Sequence, residues 1–144
     1  MRVVIQRVSD ASVTINNKIY NEINNGLMIL VGFTEGDTSS DIDYIIKKVT
    51  NLRIFDDEFG VMNKSILDMN YEILSVSQFT LYANTKEGNR PSYKESLNSN
   101  EASILYDLFN KKLSQYIKVE TGIFGSDMKV SLTNDGPVTI MLEK

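Results

Sequence analysis

The order of strand-like and helix-like segments predicts one α/β domain built around a mixed β-sheet. Segments that alternate between apolar and polar residues, or that are continuously apolar, flank two segments with apolar residues at helical spacing. The 144 residues fit a single domain over positions 1–144, and no linker or internal repeat divides them. We therefore expect the order β-rich region, helix, β, helix, β.

The beginning of the chain is predicted to be mainly strand. Residues 1–15 alternate and predict one or two strands, with a break at Ser9-Asp10. Asn16-Asn17 predicts a tight turn into a further short strand. The apolar run from Gly26 to Phe33 has strand length and is typical of a strand buried on both faces.

Two helices are predicted. The first covers residues from about 40 to 51, where Ser40 and Asp43 have the spacing of a capping box. The second starts at Asn98, with Glu101 three residues further on. Its predicted apolar stripe consists of Ile104, Leu105, Leu108, Phe109 and Leu113.

Three further segments are expected to complete the β-structure. Residues 53–66 predict a strand, an acidic turn and a return strand. Residues 71–83 form a second strongly strand-like run, and a polar loop follows over residues 84–96. Residues 116–132 return to strand around a glycine-containing turn.

The last predicted strand contains a Gly136-Pro137 pair. Alternating apolar residues of one parity surround the pair: Val130, Leu132, Val138, Ile140 and Leu142. Proline has no N–H for the ladder and is normally confined to edges and bulges, whereas glycine often marks the close approach of another backbone or a ligand. The pair is therefore a candidate for something other than strand pairing.

The composition narrows the possible chemistry. The chain has no Cys and no His, which excludes thiol nucleophiles, Ser-His-Asp triads, imidazole bases and structural zinc sites. An enzyme with this composition must use hydroxyls, carboxylates, amides, backbone dipoles or groups of its substrate. No apolar run is long enough to span a bilayer and no signal peptide is recognisable, so we expect a cytoplasmic protein.

The net charge of −4 argues against binding to nucleic acid through bulk electrostatics. A local basic patch remains open, as does the simpler interpretation that these are ordinary solvated charges. The candidates are Lys47, Lys48 and Arg53, then Lys86, Arg90 and Lys94, then Lys111 and Lys112.

Polar residues interrupt the predicted strand over 71–83. The segment Ser75 to Leu81 contains two serines, a glutamine and a threonine. Burial of such groups without partners costs about 1–3 kcal/mol each. Local bonding of the hydroxyls to backbone would satisfy them, but the position of Gln78 just before a polar loop favours a polar ligand pocket.

Other ligand sites find less support. Asp56, Asp57 and Glu58 form an acidic cluster that could bind a hard cation such as Mg²⁺, but the spacing fits no loop motif and an acidic turn is usually solvated. The segment Gly122 to Met128 lacks the signature of a phosphate-binding loop.

Several stretches together resemble the D-aminoacyl-tRNA deacylase family along nearly the whole chain. They are MRVVIQRVSDASVTI, VSQFTLYA, NRPSY, VETGIFGSDMKVSL and NDGPVTI, in that order. Ser126 stands where the family usually has Ala, which is a small departure. The resemblance implies mixed, largely antiparallel sheets with two main helices packed on one side.

The resemblance also implies a function. Such a homodimeric hydrolase cleaves the ester between a D-amino acid and the 3′-terminal adenosine of tRNA, and some members also remove glycine from tRNA for alanine. It assigns Ser77, Gln78, Phe79 and Thr80 to the catalytic pocket. Gly136-Pro137 would form a cis peptide that enters the partner's pocket and selects chirality, braced by Arg7. No cofactor and no metal ion is implied.

The nucleophile stays open among Thr80, water, and water assisted by the ribose 2′-hydroxyl of the substrate. We favour the last, because the sequence offers no evident base to activate Thr80. Two alternative functions remain: a non-catalytic RNA-binding or dimerisation module on the same fold, and a hydrolase for small N-acyl or peptidyl substrates.

Overall fold

Strand β1 (Arg2–Ile15) organises the computed structural model, which describes residues 1–144, because it pairs along both of its edges. On one side, β3 (Gly26–Gly32) and β2 (Lys18–Ile23) pair antiparallel with its first and second halves. On the other side, β8 (Lys129–Glu143) pairs antiparallel along nearly its whole length. Residues 2–15 are thus one continuous strand, and no break occurs at the predicted position.

Parallel pairing completes the sheet. Strand β6 (Glu72–Ser77) pairs with β3, and β7 (Val119–Thr121) pairs with β6, both in parallel. The six strands form a mixed sheet in one α/β domain, which confirms the predicted fold class. The turn at Asn16-Asn17 is also confirmed, with φ values of 51° and 61° at the two asparagines.

The two main helices lie on the same face of the sheet. Helices α1 (Ser39–Asn51) and α3 (Ser99–Leu113) bury Ile45 and Phe109 in one cluster with β1 and β3 side chains. A smaller cluster on the opposite face contains residues of β1, β2, β3 and β6. A short helix α2 (Ile66–Met69), which the sequence pattern did not indicate, precedes β6. No helix of the structure is long and apolar enough to cross a membrane.

The first helix has the predicted bounds, but its predicted cap, Ser40, is wrong by two positions. The cap is Thr38, whose N–H and hydroxyl both donate to the Asp41 carboxylate, at 2.9 and 2.7 Å. Asp43 binds Lys112 of α3 at 2.6 Å instead, so its carboxylate is used between helices. The second helix begins as predicted, because Asn98 accepts a hydrogen bond from the Glu101 N–H at 3.1 Å.

The predicted stripe of α3 is partly wrong. Ile104 is 68% exposed, whereas Tyr106 and Asn110 are buried. Polar groups of this helix therefore face the sheet, since Tyr106 donates its hydroxyl to the Ser75 carbonyl at 2.8 Å.

Two strand predictions in the middle of the chain also change. Residues 53–66 do form a hairpin, but its strands β4 (Phe55–Asp56) and β5 (Met62–Lys64) are short. The run over 71–83 does not stay extended: β6 ends at Ser77, and residues Phe79–Tyr82 form a 3₁₀ helix. The strand predicted over 71–83 therefore ends at Ser77.

Candidate active site

A cavity of about 680 Å³ opens where the parallel strands β3 and β6 end. Its wall is completed by the start of α3 and by the glycine-containing turn between β7 and β8. The lining residues on the two strand ends are Val31, Gly32, Phe33, Val76, Ser77, Gln78 and Phe79. The volume lies in the range of small-ligand sites, and the carboxyl ends of parallel strands are a common place for them.

The backbone at this strand end is held closely to its neighbour. The Gln78 N–H donates to the Val31 carbonyl at 2.7 Å, which extends the β3–β6 ladder by one residue. A Cβ on Gly32 would lie 2.8 Å from the Gln78 carbonyl oxygen, so the close approach requires glycine there.

The turn from strand to 3₁₀ helix leaves backbone donors available. The first bond into this helix joins the Leu81 N–H to the Gln78 carbonyl at 3.3 Å. The N–H groups of Phe79 and Thr80 precede it and have no helical acceptor, as at any helix start. Two donors next to a cavity can stabilise a developing oxyanion, an effect of about 3–4 kcal/mol per donor in other enzymes.

Thr80 lies just beyond the cavity lining. Its hydroxyl oxygen accepts a hydrogen bond from the Gln78 side-chain amide at 2.5 Å. No carboxylate, lysine or arginine binds this hydroxyl. Ser77, Gln78 and Phe79 thus line the cavity, while Thr80 contacts it through Gln78.

The cavity wall carries few ionisable groups. Only Asp127 and Tyr93 among its lining residues are titratable, and there is no lysine or arginine. The site therefore offers hydroxyls, amides and backbone dipoles for chemistry, as the composition requires. Because no lysine or arginine lines the cavity, it has no cationic side chain that could bind a phosphate.

Ser96 is a site residue that the sequence analysis missed. Its hydroxyl donates to the Phe79 carbonyl at 2.9 Å and it lines the cavity. Phe79 also stacks edge-to-face on Tyr93, with ring centroids 5.0 Å apart. The loop over residues 84–96, predicted only to be polar, thereby fixes the first residue of the 3₁₀ helix. Serine in a polar loop gives no sequence signal for such a contact.

A buried polar cluster supports strand β6 beneath the cavity. The Ser75 carbonyl accepts from the Tyr106 hydroxyl at 2.8 Å and from the Gly122 N–H at 2.9 Å. Burial raises the pKa of Tyr106, so the phenol stays a hydrogen-bond donor. The Ser75 hydroxyl oxygen and the Asn110 side-chain carbonyl are buried without a partner in the chain.

The Gly136-Pro137 pair lies in a bulge of β8, which is an edge strand of the sheet. Gln6 pairs with Thr139 and Val8 pairs with Asn134, so one residue of β1 faces a longer insert of β8. Both residues of the pair are exposed, and their peptide bond is cis, as the resemblance implies. The bulge and edge position explain how proline is accommodated here.

Arg7 braces this bulge from below. Its guanidinium donates to the carbonyl of Asp135 at 3.2 Å and to the carbonyl of Ile54 at 2.8 Å. It also lies 3.1 Å from the carboxylate of Asp135 and 3.4 Å from that of Asp56. A buried arginine whose Nε and Nη1 both donate to backbone carbonyls is a rigid support. The role in chirality selection that the resemblance assigns to Arg7 stays a prediction.

Asn134 is a second brace, which the sequence analysis did not single out. Its side-chain amide donates to the Arg7 carbonyl at 2.9 Å and to the Val138 carbonyl at 3.0 Å. The second bond spans the Gly-Pro pair from one side to the other. Asparagine directly before Asp-Gly-Pro was visible in the sequence, but its bonding partners were not.

The bulge and the cavity lie at opposite ends of β3. Arg7 pairs with Leu27 near the start of the strand, whereas Val31 and Gly32 line the cavity at its end. At about 3.3 Å per residue, the separation along the strand is roughly 13–16 Å. Neither Gly136 nor Pro137 lines the cavity of its own chain.

The acidic turn is explained by local structure. The Asp57 carboxylate accepts from the N–H groups of Val61 and Phe59, at 3.1 and 2.9 Å, and from Asn63. These bonds, led by that of Val61, lower the pKa of Asp57. No group of three or more acidic side chains converges in the structure as a metal site.

The fold is shared with known structures. The chain matches the c-Myc DNA unwinding element binding protein at 38% identity and a TM-score of 0.95, covering 100% of this chain and 99% of that chain. It matches a probable eukaryotic D-amino acid tRNA deacylase at 19% identity and a TM-score of 0.82, covering 98% and 97%. At 19% identity the second match is evidence for the fold alone. These matches place the chain in a class of α/β domains that share this fold.

The particular family follows from a match to the whole sequence. A family model described as D-Tyr-tRNA(Tyr) deacylase matches residues 4–143, and the chain belongs to this family. It is therefore a hydrolase whose substrate is an aminoacyl-tRNA. This favours the hydrolase over the non-catalytic module considered above.

Proposed function

We propose that the enzyme hydrolyses the ester between a D-amino acid, or glycine, and the 3′-terminal adenosine of tRNA, and that it rejects L-aminoacyl esters. The observation that carries the proposal is the exposed Gly136-Pro137 bulge, which Arg7 and Asn134 fix and which does not line the cavity of its own chain. Because these contacts fix the two exposed residues, the pair can act as a rigid surface towards a substrate.

The proposed catalytic unit is a homodimer in which the bulge of each subunit enters the cavity of the other. The bulge cannot serve its own cavity, because the two lie at opposite ends of β3. The β4–β5 hairpin, whose Asp56 contacts Arg7, also exposes apolar side chains. Phe59 is 83% exposed and Val61 58% exposed. A second copy of the chain would cover such side chains beside the bulge.

Selection by configuration follows from the rigidity of the bulge. An enzyme for many D-amino acids must sense the arrangement at Cα and not the side chain itself. Fixed backbone groups placed against Cα exclude an L side chain sterically, which can discriminate more strongly than an added attractive contact. Glycine has no side chain to exclude and would pass as a substrate.

Catalysis requires little beyond positioning, because an aminoacyl ester is already activated. The N–H groups of Phe79 and Thr80 would stabilise the oxyanion that forms when water attacks the carbonyl. Thr80 has no base within hydrogen-bonding distance, and its oxygen is engaged by Gln78. The ribose 2′-hydroxyl of the substrate would assist the water, and the bond from the carbonyl carbon to the ribose oxygen breaks.

The test is a comparison of D-Tyr-tRNA, L-Tyr-tRNA and Gly-tRNA under identical conditions, with loss of the ester followed over time. The proposal expects rapid hydrolysis of the D- and glycyl esters and background hydrolysis of the L-ester. Equal rates for the D- and L-esters would contradict the assignment of chirality selection. A protein that sediments as a monomer while retaining D-selectivity would contradict the shared site.

A further inference from the structure

A basic concave surface on α1, away from the catalytic cavity, has no role in the chemistry described above. We call it the α1 patch and define it by the six residues that line a shallow cavity of about 460 Å³: Tyr44, Lys47, Lys48, Asn51, Leu52 and Arg53. Three of the six are cationic, although the whole chain carries a net charge of −4.

None of the three cations of the α1 patch forms a salt bridge, and only Arg53 donates a hydrogen bond, from its Nε to the Asn63 carbonyl at 2.9 Å. Lys47, Lys48 and Arg53 are exposed and form no salt bridge, whereas Lys112 and Lys118 elsewhere on the surface are both paired. The carboxylates on neighbouring segments are engaged locally: Asp41 binds the Thr38 cap and Asp68 binds the Ser65 cap. Unpaired cations that share a concave surface create a local positive potential and can bind an anion.

An exposed aromatic ring lies among these cations. Tyr44 is 43% exposed. The centroid of its ring lies 5.6 Å from the ammonium of Lys48 and 5.4 Å from that of Lys144. Aromatic rings interleaved with cations are typical of surfaces that bind nucleic acid, where phosphates meet the cations and bases stack on the ring. An acidic peptide would use the cations but has less need of the ring.

One end of the α1 patch adjoins the brace of the Gly-Pro bulge. It ends at Arg53, and the carbonyl of the next residue, Ile54, is the acceptor for the buried Arg7 guanidinium at 2.8 Å. The catalytic cavity, in contrast, contains no lysine or arginine. A polyanionic substrate must therefore find its phosphate contacts outside the cavity.

We infer that the α1 patch binds the sugar-phosphate backbone of the tRNA acceptor arm while the aminoacyl end occupies a catalytic cavity. The inference rests on the proposed shared site, in which the bulge of one subunit lies in the cavity of the other. The Arg53 end of the α1 patch, which adjoins that bulge, then flanks the cavity of the partner subunit. It supplies the phosphate contacts that the cavity lacks.

The test compares Lys47→Ala/Lys48→Ala with the control Lys18→Ala/Lys111→Ala. The control removes the same charge from two exposed lysines that form no ion pair. Each protein is assayed on D-Tyr-tRNA and on 3′-O-D-tyrosyl-adenosine, which has no phosphate. We expect the α1-patch variant to raise KM for the tRNA about tenfold, to leave kcat unchanged, and to hydrolyse the nucleoside ester as the wild type does.

Salt dependence gives a second measurement. The slope of log(kcat/KM) against log[salt] should become shallower by about 1–2 in the α1-patch variant, since each phosphate contact contributes about 0.7–0.9. Unchanged KM and slope relative to the control would overturn the inference. Equal losses on tRNA and on the nucleoside ester would also overturn it, because they would locate the effect in the catalytic cavity.

Direct binding separates this inference from the proposed function. Fluorescence polarisation with uncharged tRNA needs no deacylation, so it reports on the α1 patch even if the enzyme proves not to select D-esters. Weaker binding by Lys47→Ala/Lys48→Ala than by the control supports the inference. Equal affinity of the two variants for tRNA refutes it, including the case in which the surface binds an acidic protein instead.

Discussion

Gly136→Ala is the substitution that most directly tests the fixed bulge. Gly136 has φ +120°, and a Cβ there would lie 3.1 Å from the Arg7 guanidinium and 2.9 Å from the Val138 side chain. Gly36→Ala is the matched control, because Gly36 has φ +89° with nothing within 4 Å of the added Cβ. Both alanines pay the cost of a positive φ, which is about 1–3 kcal/mol.

The two variants differ in what the new methyl group touches. At Gly136 it displaces the guanidinium that binds the carbonyls of Asp135 and Ile54. Weakening one charge-assisted hydrogen bond of this kind adds about 1–2 kcal/mol to the loss of stability. The same displacement loosens the bulge, so the ratio of D- to L-ester hydrolysis should fall about 5- to 30-fold, which corresponds to 1–2 kcal/mol.

Two assays measure these effects. Urea unfolding at a fixed protein concentration gives the difference in the free energy of unfolding, and the concentration must be fixed because dimerisation would contribute to stability. Deacylation of D-Tyr-tRNA and L-Tyr-tRNA gives the selectivity. If Gly136→Ala is no less stable than Gly36→Ala and keeps the wild-type D/L ratio, the reasoning about the brace is refuted.

Three further substitutions test separate parts of the structure. Thr80→Ala should keep substantial deacylation in a single-turnover assay, and a rate near that of the uncatalysed ester would contradict a mechanism that does not depend on the Thr80 hydroxyl. Asn134→Ala removes the bond across the bulge and should lower the D/L ratio more than kcat on D-Tyr-tRNA; an unchanged ratio would argue against its role. Burial raises the pKa of Tyr82 from its ordinary value of 10.0 to about 12, so the phenol stabilises the fold fully below pH 10 and progressively less as the pH rises towards 12. In urea unfolding, Tyr82→Phe should lose less free energy of unfolding between pH 9 and pH 11 than the wild type does. An equal loss in both proteins would contradict the assignment of this pH dependence to Tyr82.

Elements with a strong local signal were predictable from the sequence. The asparagine turn at 16–17 and the Asn98 cap were found because their geometry depends on adjacent residues. The cap of α1 was predicted at Ser40 with Asp43, but Thr38 and Asp41, which have the same spacing, form it. Asp43 instead binds Lys112, 69 positions away, a contact that no local pattern indicates.

Tertiary contacts account for the remaining differences. The alternation after Ser77 looks like a strand, but Ser96 and the ladder bond of Gln78 hold the backbone where a 3₁₀ turn forms. Tyr106 is buried on α3 in place of Ile104, because its hydroxyl donates a hydrogen bond to the Ser75 carbonyl. Ser96 and Asn134 belong to no motif that indicates their contacts, because their bonding partners are set by the fold.

The proposed arrangement assigns rate and selectivity to different parts of the molecule. The cavity offers backbone donors and amides, which act on the ester carbonyl of either isomer. The bulge offers a rigid backbone surface, which acts only through the configuration at Cα. Substitutions at Gln78 should therefore slow D- and residual L-hydrolysis by similar factors, while substitutions at Arg7 or Gly136 should change their ratio. A Gln78 variant that altered the ratio as strongly as Gly136→Ala would show that the two tasks are not separate.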